Sequence, residues 1–489
     1  MKLAVLVFLG ALPLCQAGSP EYFVPEHRVS GIGVARDDLS DDQLEVRKDL
    51  MIQSQTFAIM RDPQAVAGAR RITTDAKLQS LFHSAAEISG LQQSTLEAIA
   101  YLESWGDANA QSSAGPRGIM QISAATARAM GLRVLQATRY KVTRERVAYK
   151  TKSGKIRYRT VSRRMPYVVT ARDDRLYPDR AIPAAAKYIA GMEQKFGGLD
   201  WAIFAYHCGQ GCVAEMQDLT RHARGIPKDQ VTVTRMFFSC SPAWNRELYQ
   251  AIEQQMQRDW SPTYYFRVMR AEQLLALYRR APDDFENLWN DYRAQFWDPS
   301  AQRAQQRLSV WLKHDDVVFH SCDDIRIDTG KRLAKAFDRP DYFGYRLNVV
   351  PDTPADLEIF SEASPAALGT LSYIAFETRR LMEEMTHTEK YRPLDVVTLV
   401  EPEDFVRQQG TQALMHCSGQ VFDIDYSGLP PAELEALRFV LDDLGWDGYL
   451  GFVEEGRDNL HIGCSPTSRD FFTSVFQEAG ARESAIVSR

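Results

Sequence analysis

Long apolar runs are nearly absent from this chain of 489 residues. The one clear example, from Leu3 to Leu14, is too short to span a bilayer as a permanent helix. Because no other stretch is long and apolar enough to cross a membrane, the sequence predicts no stable membrane span. Internal repeats and low-complexity tracts are also missing.

The apolar run belongs to a short N-terminal pattern. Lys2 precedes the run, and Cys15-Gln16-Ala17 follows it. This arrangement is typical of a secretory signal peptide, residues 1–17, with cleavage after Ala17. We therefore expect a secreted or periplasmic protein. Anchoring as a lipoprotein through Cys15 is the disfavoured alternative, because Leu12-Pro13-Leu14 makes a poor lipobox.

Cysteine is scarce, at seven residues. Loss of Cys15 with the signal peptide leaves an even number in an exported chain, which favours disulfides among Cys208, Cys212, Cys240, Cys322, Cys417 and Cys464. The sequence leaves their pairing open. Cys208 and Cys212 are spaced like a redox or zinc pair, but a structural bridge, such as one from either of them to Cys240, is favoured.

Positive charge is also in the minority. The net charge of −6 argues against nucleic acid as the main partner. At this length the chain exceeds one ordinary domain, and we expect two or three folded units.

The segment 103–121 combines a carboxylate with a loop of small residues. Before it, apolar residues at helical spacing predict an amphipathic helix, which opens with a capping box of Ser94 and Glu97. Glu103 falls where this helix ends, and Gly115 and Gly118 allow the loop backbone to approach another group closely. A carboxyl held against methionine and aromatic side chains has a raised pKa, as a general acid near neutral pH requires. A surface glutamate at an ordinary helix end is the alternative.

Three motifs in this region resemble those of the soluble lytic transglycosylases, a family with the goose-type lysozyme fold. The first comprises Glu103-Ser104, Ser113-Ala114-Gly115 and Gly118-Ile119-Met120-Gln121-Ile122. The second lies in residues 177–213, where His207 stands after Tyr206 in place of the family's Asn. The third is a terminal tyrosine-containing helix in residues 261–275, represented here by Tyr265.

The resemblance implies cleavage of the β-1,4 bond between N-acetylmuramic acid and N-acetylglucosamine in peptidoglycan. Glu103 is then the sole acid and base, a 1,6-anhydro sugar is the product, and no cofactor is needed. Most glycosidases use two carboxylates, but we interpret the nearest second one, Asp107, as a turn residue. The residues implied to bind substrate are Ser104, Ser113, Gly118, Met120, Gln121, Tyr206, His207 and Tyr265. Hydrolysis, as in goose-type lysozyme, and glycan binding without catalysis are the alternatives.

A second group of polar side chains lies near the C-terminus. Alternation in residues 421–425 and 459–462 places Asp423 and His461 on the open faces of two neighbouring strands, and His416 lies just upstream. Two imidazoles and one carboxylate suit a three-ligand catalytic zinc site with one position left for water. Glu454 and Glu455 are the candidate general bases. Histidines with a purely structural role are the alternative.

This pattern is similar to that of zinc D-alanyl-D-alanine carboxypeptidases and L-alanyl-D-glutamate peptidases of the VanY/VanX type. The resemblance implies that His416, Asp423 and His461 are zinc ligands. Two departures count against activity: Glu401 stands where the family has arginine, and the candidate base lies farther from the final histidine than in the family's Glu-x-x-His. We interpret Cys417 as a buried neighbour of the site, with a fourth ligand or a disulfide partner as alternatives.

The two resemblances predict a multidomain chain. An N-terminal, mainly α, lysozyme-like domain is expected at 76–280, and a C-terminal α+β, zinc-peptidase-like domain with a small antiparallel sheet at 340–489. Residues 18–75 are expected to form a helical extension and residues 281–339 a helical connector. The expected partners are the glycan strands and stem peptides of peptidoglycan. The alternative for the C-terminal domain is a catalytically dead module that binds the wall.

A basic stretch at 139–164 departs from the acidic average of the chain, and a hairpin turn is predicted at 152–155. One interpretation is a solvated insertion, and the other is a contact with anionic peptidoglycan. The sequence leaves both open.

Overall fold

The computed structural model describes residues 22–26, 28–29, 40–150, 155–241, 245–255, 263–292, 312–313, 316–328, 330–349, 356–387, 390–408, 415–455 and 458–487. The predicted signal peptide with Cys15, residues 152–154 of the predicted hairpin turn and the central part of the predicted connector lie outside these ranges. The described residues form two compact units. The first contains the described residues between 40 and 292 together with Lys313, and the second contains the rest.

The first unit is mainly helical, as the sequence predicts. Its helices are α1 (Asp41–Met60), α2 (Ala65–Thr74), α3 (Ala76–Ser89), α4 (Gln93–Ser104), α5 (Ala124–Ala129), α6 (Pro178–Phe196), α7 (Leu199–Cys208), α8 (Gln210–Arg224), α9 (Val233–Phe238), α10 (Arg246–Gln255), α11 (Tyr264–Arg280) and α12 (Pro282–Tyr292). Two long strands, β1 (Val134–Lys150) and β2 (Ile156–Asp173), lie between α5 and α6 and pair antiparallel as a two-stranded ribbon.

Helix α11 organises the first unit. It packs against α1, α2, α4, α7 and α12, and Phe266, Ala271 and Leu274 on it are fully buried. On α4, Leu96 and Ile99 are likewise buried. Apolar side chains at helical spacing drive this packing, because each stripe leaves water only against another helix. The packing brings the last turn of α4 to the first turn of α11.

The capping box predicted for α4 is wrong. The helix begins at Gln93, so Ser94 lies inside it, and the N-cap residue Gln92 makes no side-chain capping bond. Glu97 is buried, forms an ion pair with Arg279 of α11 and accepts a hydrogen bond from Gln93. The Glu97 carboxylate therefore pairs with Arg279, which is distant in the sequence, instead of capping the start of its own helix.

The unit boundaries differ from those expected from the sequence. Helices α1 and α2, expected as part of an extension, pack on α11 within the first unit, and α12 from the expected connector does the same. Residues 316–339, also expected as connector, belong to the second unit. Burial explains the difference, since Met51 on α1 and Phe285 on α12 are both removed from solvent.

The second unit is an α+β fold around a five-stranded sheet with the strand order β4-β6-β7-β9-β8. Its strands are β4 (Tyr345–Leu347), β6 (Leu394–Thr398), β7 (Val421–Asp425), β8 (Leu450–Glu455) and β9 (Asn459–Cys464), while β3 (Ala334–Lys335) and β5 (Glu362–Ala363) form a separate pair. The pairs within β6, β7, β9 and β8 are antiparallel, as predicted, but β4 pairs with β6 in parallel.

The helices of the second unit are α13 (Cys322–Asp328), α14 (Pro340–Phe343), α15 (Leu357–Phe360), α16 (Pro365–Thr386), α17 (Glu403–Gln408), α18 (Pro431–Trp446) and α19 (Arg469–Val487). Helix α16 packs against both α18 and α19. Gly369 permits the close approach of α19, because a Cβ there would lie 1.8 Å from the Phe472 carbonyl oxygen. The N-terminal segment joins this unit through a hydrogen bond of 2.8 Å from the Val29 N–H to the Tyr373 hydroxyl.

None of the helices in the described ranges combines the length and the apolar character needed to cross a membrane.

No disulfide joins the cysteines in the described ranges. The Cys208 and Cys212 thiols hydrogen-bond each other. The Cys240 sulfur, two residues past the end of α9, lies 3.9 and 3.8 Å from the carbonyl oxygens of Met236 and Phe237 on that helix. The bridge to Cys240 that the sequence favoured is therefore not formed in this structure.

Candidate functional site

The end of helix α4 presents the Glu103 carboxyl. The helix stops after Ser104, because Trp105 adopts a left-handed backbone conformation with φ 52°. The Ser104 hydroxyl donates to the Ile119 carbonyl oxygen at 2.7 Å, and the Trp105 ring packs edge-on against Tyr101 with centroids 4.7 Å apart. These contacts hold the last turn of α4 against the loop that follows it.

The Glu103 carboxyl is half-buried and bonded to a tyrosine. The Tyr264 hydroxyl on α11 donates to Glu103 Oε1 at 2.7 Å. Burial is the strongest influence and raises the pKa of Glu103 to about 7, although the Tyr264 hydrogen bond and the positive charge of Arg267 oppose the rise. Near neutral pH the carboxyl is therefore divided between its protonated and ionised forms. Such a group can donate a proton and take one back.

Aromatic contacts surround this carboxyl. The His207 ring stacks on Tyr264 with centroids 4.4 Å apart, and the Tyr206 hydroxyl donates to the Met120 carbonyl oxygen at 2.6 Å. Burial, followed by the nearby Glu103 charge, raises the pKa of Tyr206 well above its usual value. Three motifs that are distant in the sequence thus meet around Glu103.

Arg175 holds the loop after α4. Its guanidinium donates to the carbonyl oxygens of Gly115 at 3.1 Å and Ile122 at 3.0 Å, and it forms a buried ion pair of 2.7 Å with Asp173. Gly118, at φ 79°, lies so close to Arg175 that a Cβ there would stand 1.9 Å from the Arg175 carbonyl oxygen. Position 118 therefore requires glycine for conformation and for space.

The residues implied to bind substrate differ in how they are placed. Ser113 and His207 are exposed, whereas the Met120 side chain is fully buried and its backbone carbonyl oxygen accepts the Tyr206 hydroxyl. The Gln121 side-chain amide donates to the Gly118 carbonyl oxygen at 3.0 Å and so shapes the loop. Met120 and Gln121 thus support the site from within.

The tyrosine that contacts Glu103 is Tyr264 rather than Tyr265. Consecutive residues of a helix point about 100° apart, so only one of the pair faces the carboxyl. Tyr265 lies near Asp200 and Glu45 instead; burial and then these charges raise its pKa. The paired tyrosines were visible in the sequence, but nothing local indicated which of them faces α4.

Asp107 is a turn residue, as interpreted from the sequence. Its Oδ1 accepts the backbone N–H of Asn109 at 2.9 Å, a local bond that favours turns. Arg175 was missed by the sequence analysis, because its two carbonyl partners lie more than fifty residues away along the chain.

His416, Asp423 and His461 lie together in the second unit, with one ligand atom of each within 4.8 Å of the others. Alternation predicted that Asp423 and His461 lie on neighbouring strands, and the strand register places them directly opposite each other. All three side chains are buried, so they do not lie on faces open to solvent, contrary to expectation. His416 Nδ1 bonds the Leu399 carbonyl oxygen just after β6, so the short turn that carries His416 lies against that part of the chain, and Cys417 in the same turn is also fully buried.

A shared carboxylate oxygen links the two histidines. His416 Nδ1 donates to the Leu399 carbonyl oxygen at 2.9 Å, which directs its Nε2 towards Asp423 Oδ1 at 3.2 Å. His461 Nδ1 lies 2.7 Å from the same oxygen. Burial opposes a charge on His416, but Asp423 and Glu401 raise the pKa of His416 to about 9. Anchoring one ring nitrogen on a backbone carbonyl is the usual arrangement of metal-ligating histidines.

The candidate base Glu454 points away from this cluster. In the register, Val453 lies opposite His461 and Glu454 lies opposite Leu460, so the Glu454 side chain belongs to the other face of the sheet. Its carboxylate pairs with Arg438 at 3.3 Å. The prediction that Glu454 is a general base of this cluster is therefore wrong, and Glu454 instead forms a surface ion pair. The side chain of Glu455 lies outside the described part of the chain.

Glu401, the residue that departs from the peptidase pattern, lies beside the cluster. Its backbone N–H donates to the His416 carbonyl oxygen at 3.3 Å. Burial raises the pKa of its carboxyl, which also senses the charges of His416 and Asp423. Burial also raises the pKa of the Cys417 thiol to about 12, in agreement with its interpretation as a buried neighbour.

Two comparisons with known proteins support an assignment for the first unit. The family model of the transglycosylase SLT domain matches residues 80–145 and 155–226. The chain is 33% identical over 146 residues to the peptidoglycan transglycosylase gp16 of Escherichia phage T7, a stretch that covers 30% of this chain and 8% of gp16. The matched residues include Glu103, its loop and Tyr206. The N-terminal region of this chain therefore contains a transglycosylase SLT domain.

Proposed function

We propose that this protein is a peptidoglycan lytic transglycosylase whose acid and base is Glu103. The observation that carries the proposal is a half-buried carboxyl with a pKa of about 7, bonded to a tyrosine hydroxyl within 2.7 Å. The match of the surrounding residues to the SLT domain supports it. Because peptidoglycan lies outside the cytoplasmic membrane, the proposal includes export directed by the predicted signal peptide.

Glu103 serves twice in the proposed reaction. The protonated carboxyl donates its proton to the glycosidic oxygen, and the bond from this oxygen to C1 of N-acetylmuramic acid breaks. The carboxylate then takes the proton of the C6 hydroxyl of the same sugar, and the C6 oxygen forms the new bond to C1. The products are a 1,6-anhydro sugar and a free hydroxyl end, and Glu103 is protonated again.

The neighbouring aromatic residues have supporting roles in this proposal. The Tyr264 hydrogen bond stabilises the carboxylate between the two steps, since it lowers the pKa of Glu103 against the effect of burial. Tyr206 holds the Met120 carbonyl and with it the loop. His207 is exposed and stacks on Tyr264. In the proposal it contacts the sugar, at the position where the soluble lytic transglycosylases have asparagine.

Product analysis tests the proposed activity. The purified protein digests isolated sacculi in water enriched in heavy oxygen, and mass spectrometry identifies the released fragments. We expect anhydro ends that are lighter than hydrolysed ends by one water and carry no heavy oxygen. Labelled reducing ends would establish hydrolysis instead, and uncut glycan would reject catalysis altogether.

A second activity is proposed for the second unit, namely zinc-dependent cleavage of stem peptides. Two imidazoles and one carboxylate within 4.8 Å form the donor set of catalytic zinc sites, and the His416 anchor on Leu399 fits this use. Bound zinc supplies a polarised carbonyl or an activated water. Glu401 replaces Glu454 as the candidate proton acceptor, because it lies beside His416. A wall-binding module with a metal-free His–Asp–His cluster is the competing assignment.

Zinc titration separates these two assignments. After chelation and dialysis, the full chain is expected to bind one zinc ion per molecule. His461→Ala should weaken binding by more than the roughly 10–100-fold that loss of an outer-shell partner costs. The matched control is His222→Ala, an exposed histidine of the first unit, which should leave zinc binding unchanged. Absence of stoichiometric zinc, or equal affinity in His461→Ala, would reject the peptidase and favour the wall-binding module.

A further inference from the structure

The β1–β2 ribbon carries an unusual concentration of positive charge. Its two strands contain ten lysine or arginine residues but only two acidic ones, Glu145 and Asp173, within a chain whose net charge is −6. Asp173 is used internally by Arg175, and Glu145 lies 3.8 Å from Arg163. The ribbon is therefore a local cationic surface, which an anionic partner complements.

Aromatic and aliphatic side chains alternate with these cations and remain in solvent. Val142, Ile156 and Tyr158 are 66%, 64% and 59% exposed. The Arg164 and Arg146 guanidinium groups lie 4.2 and 4.8 Å from the ring centroids of Tyr140 and Tyr158. Exposure of several large apolar side chains to water is unfavourable in free energy unless a partner covers them. Arginine paired with tyrosine instead suits a partner that combines carboxylates with sugar or peptide surfaces.

The base of the ribbon is joined to the Glu103 loop. The last residue of β2, Asp173, pairs with Arg175, whose guanidinium holds the Gly115 and Ile122 carbonyl oxygens of that loop. At the start of β1, the Arg133 N–H donates to Asp174 at 3.0 Å. Whatever the ribbon binds is therefore held at a defined position relative to the loop around Glu103.

We propose that the ribbon binds the carboxylates of stem peptides on peptidoglycan and thereby guides the glycan strand to Glu103. This inference rests on the proposed function, because it assigns the ribbon to the same polymer. At about 3.4 Å per residue, a strand of 17 residues reaches roughly 55 Å, far beyond one glycosidic bond. The ribbon thus contacts stem peptides that lie well away from the bond being cut. The ribbon is attached to the loop around Glu103, where the polymer is cut in the proposed reaction. This attachment favours peptidoglycan as the partner over a lipid surface or nucleic acid, which the reaction does not involve.

Binding without turnover tests the inference. In a Glu103→Gln background, four exposed ribbon arginines, Arg144, Arg146, Arg157 and Arg159, are changed to glutamine. Affinity for intact sacculi, measured by co-sedimentation at low salt, should fall at least about tenfold, and the salt dependence should flatten. Changing the same four to lysine should retain most of the binding, because the charge is kept. Sacculi stripped of stem peptides by an amidase should be bound weakly, and with equal affinity by the chain with the unchanged ribbon and by the four-glutamine variant.

The matched control removes four exposed cations elsewhere in the first unit, Lys77, Lys187, Lys228 and Arg280, again by change to glutamine. Equal losses in this control and in the ribbon variant would overturn the inference, as would an equal loss on stripped sacculi. Loss of binding to phosphatidylglycerol vesicles or to DNA without loss on sacculi would overturn it as well. Since no turnover is measured, the absence of anhydro products from the unmutated enzyme would reject the proposed activity separately.

Discussion

Glu103→Gln is expected to lower the rate of anhydro-product release by about 10²–10⁴-fold, towards the upper end because one carboxyl acts in both steps. Glutamine keeps the size and the hydrogen-bonding shape of the side chain, but its amide neither donates a proton to the glycosidic oxygen nor takes one from the C6 hydroxyl. Release of anhydro fragments from sacculi, measured by mass spectrometry, checks this result.

The pH dependence follows from the raised pKa of Glu103. The reaction begins with the protonated carboxyl, so kcat/KM should fall as the pH rises through about 7. Tyr264→Phe keeps the ring stacked against His207 but removes the hydrogen bond that favours the carboxylate. This variant should therefore move the fall to higher pH. A rate that is flat from pH 6 to 9 would contradict the assignment of Glu103 as the acid.

Two controls separate chemistry from folding. Asp107→Asn alters the nearest other carboxylate in the loop, which only caps a turn, and should leave the rate nearly unchanged. The ionised form of Glu103 is disfavoured in the folded state, because its folded pKa lies above its usual value. Stability from this group is therefore lost as the pH rises towards 7, and Glu103→Gln should not lower the melting temperature at pH 8. If Glu103→Gln lowered the melting temperature, its loss of activity would be explained by loss of folded protein rather than by loss of the acid and base.

Arg175→Ala is expected to destabilise the first unit by about 3 kcal/mol, the lower end of the cost of breaking a buried ion pair. The variant leaves the buried Asp173 carboxylate with the more distant Arg117, at 3.6 Å, in place of Arg175 at 2.7 Å. The carbonyl oxygens of Gly115 and Ile122 also lose the Arg175 guanidinium as a donor, although Ile122 keeps the Arg117 backbone N–H at 3.3 Å. Urea unfolding of the full chain, read by hydrogen exchange in peptides covering residues 104–123, measures the change in this unit.

A double variant and a surface control refine this prediction. Arg175→Met combined with Asp173→Asn removes both charges and should recover part of the lost stability, since the buried carboxylate that keeps only the distant Arg117 as a charged partner is gone. Arg172→Ala removes a partly exposed arginine that bonds Asp174 at 2.9 Å, and its cost should stay within about 1 kcal/mol. Equal costs for Arg175→Ala and Arg172→Ala would show that the loop does not depend on the buried pair.

The strands of the second unit show what local pattern predicts well. Side chains of a strand alternate between its two faces. The order of residues alone therefore placed Asp423 and His461 on the other face of their strands from Phe422 and Ile462. It did not place Glu454, because the face that a residue shares with a neighbouring strand depends on the register between them. Register is a tertiary property, set by which apolar rows pack together.

The sequence by itself determined that a carboxylate, Glu103, ends an amphipathic helix before a glycine loop, because helical periodicity and glycine freedom act over a few residues. Only the tertiary structure decided its environment. Tyr264, which bonds the carboxyl, lies 161 positions away along the chain, and Arg279 takes the Glu97 carboxylate from its predicted cap over 182 positions. Such partners are chosen by the packing of α4 on α11. The pKa that equips Glu103 for its proposed role depends on the burial that this packing creates.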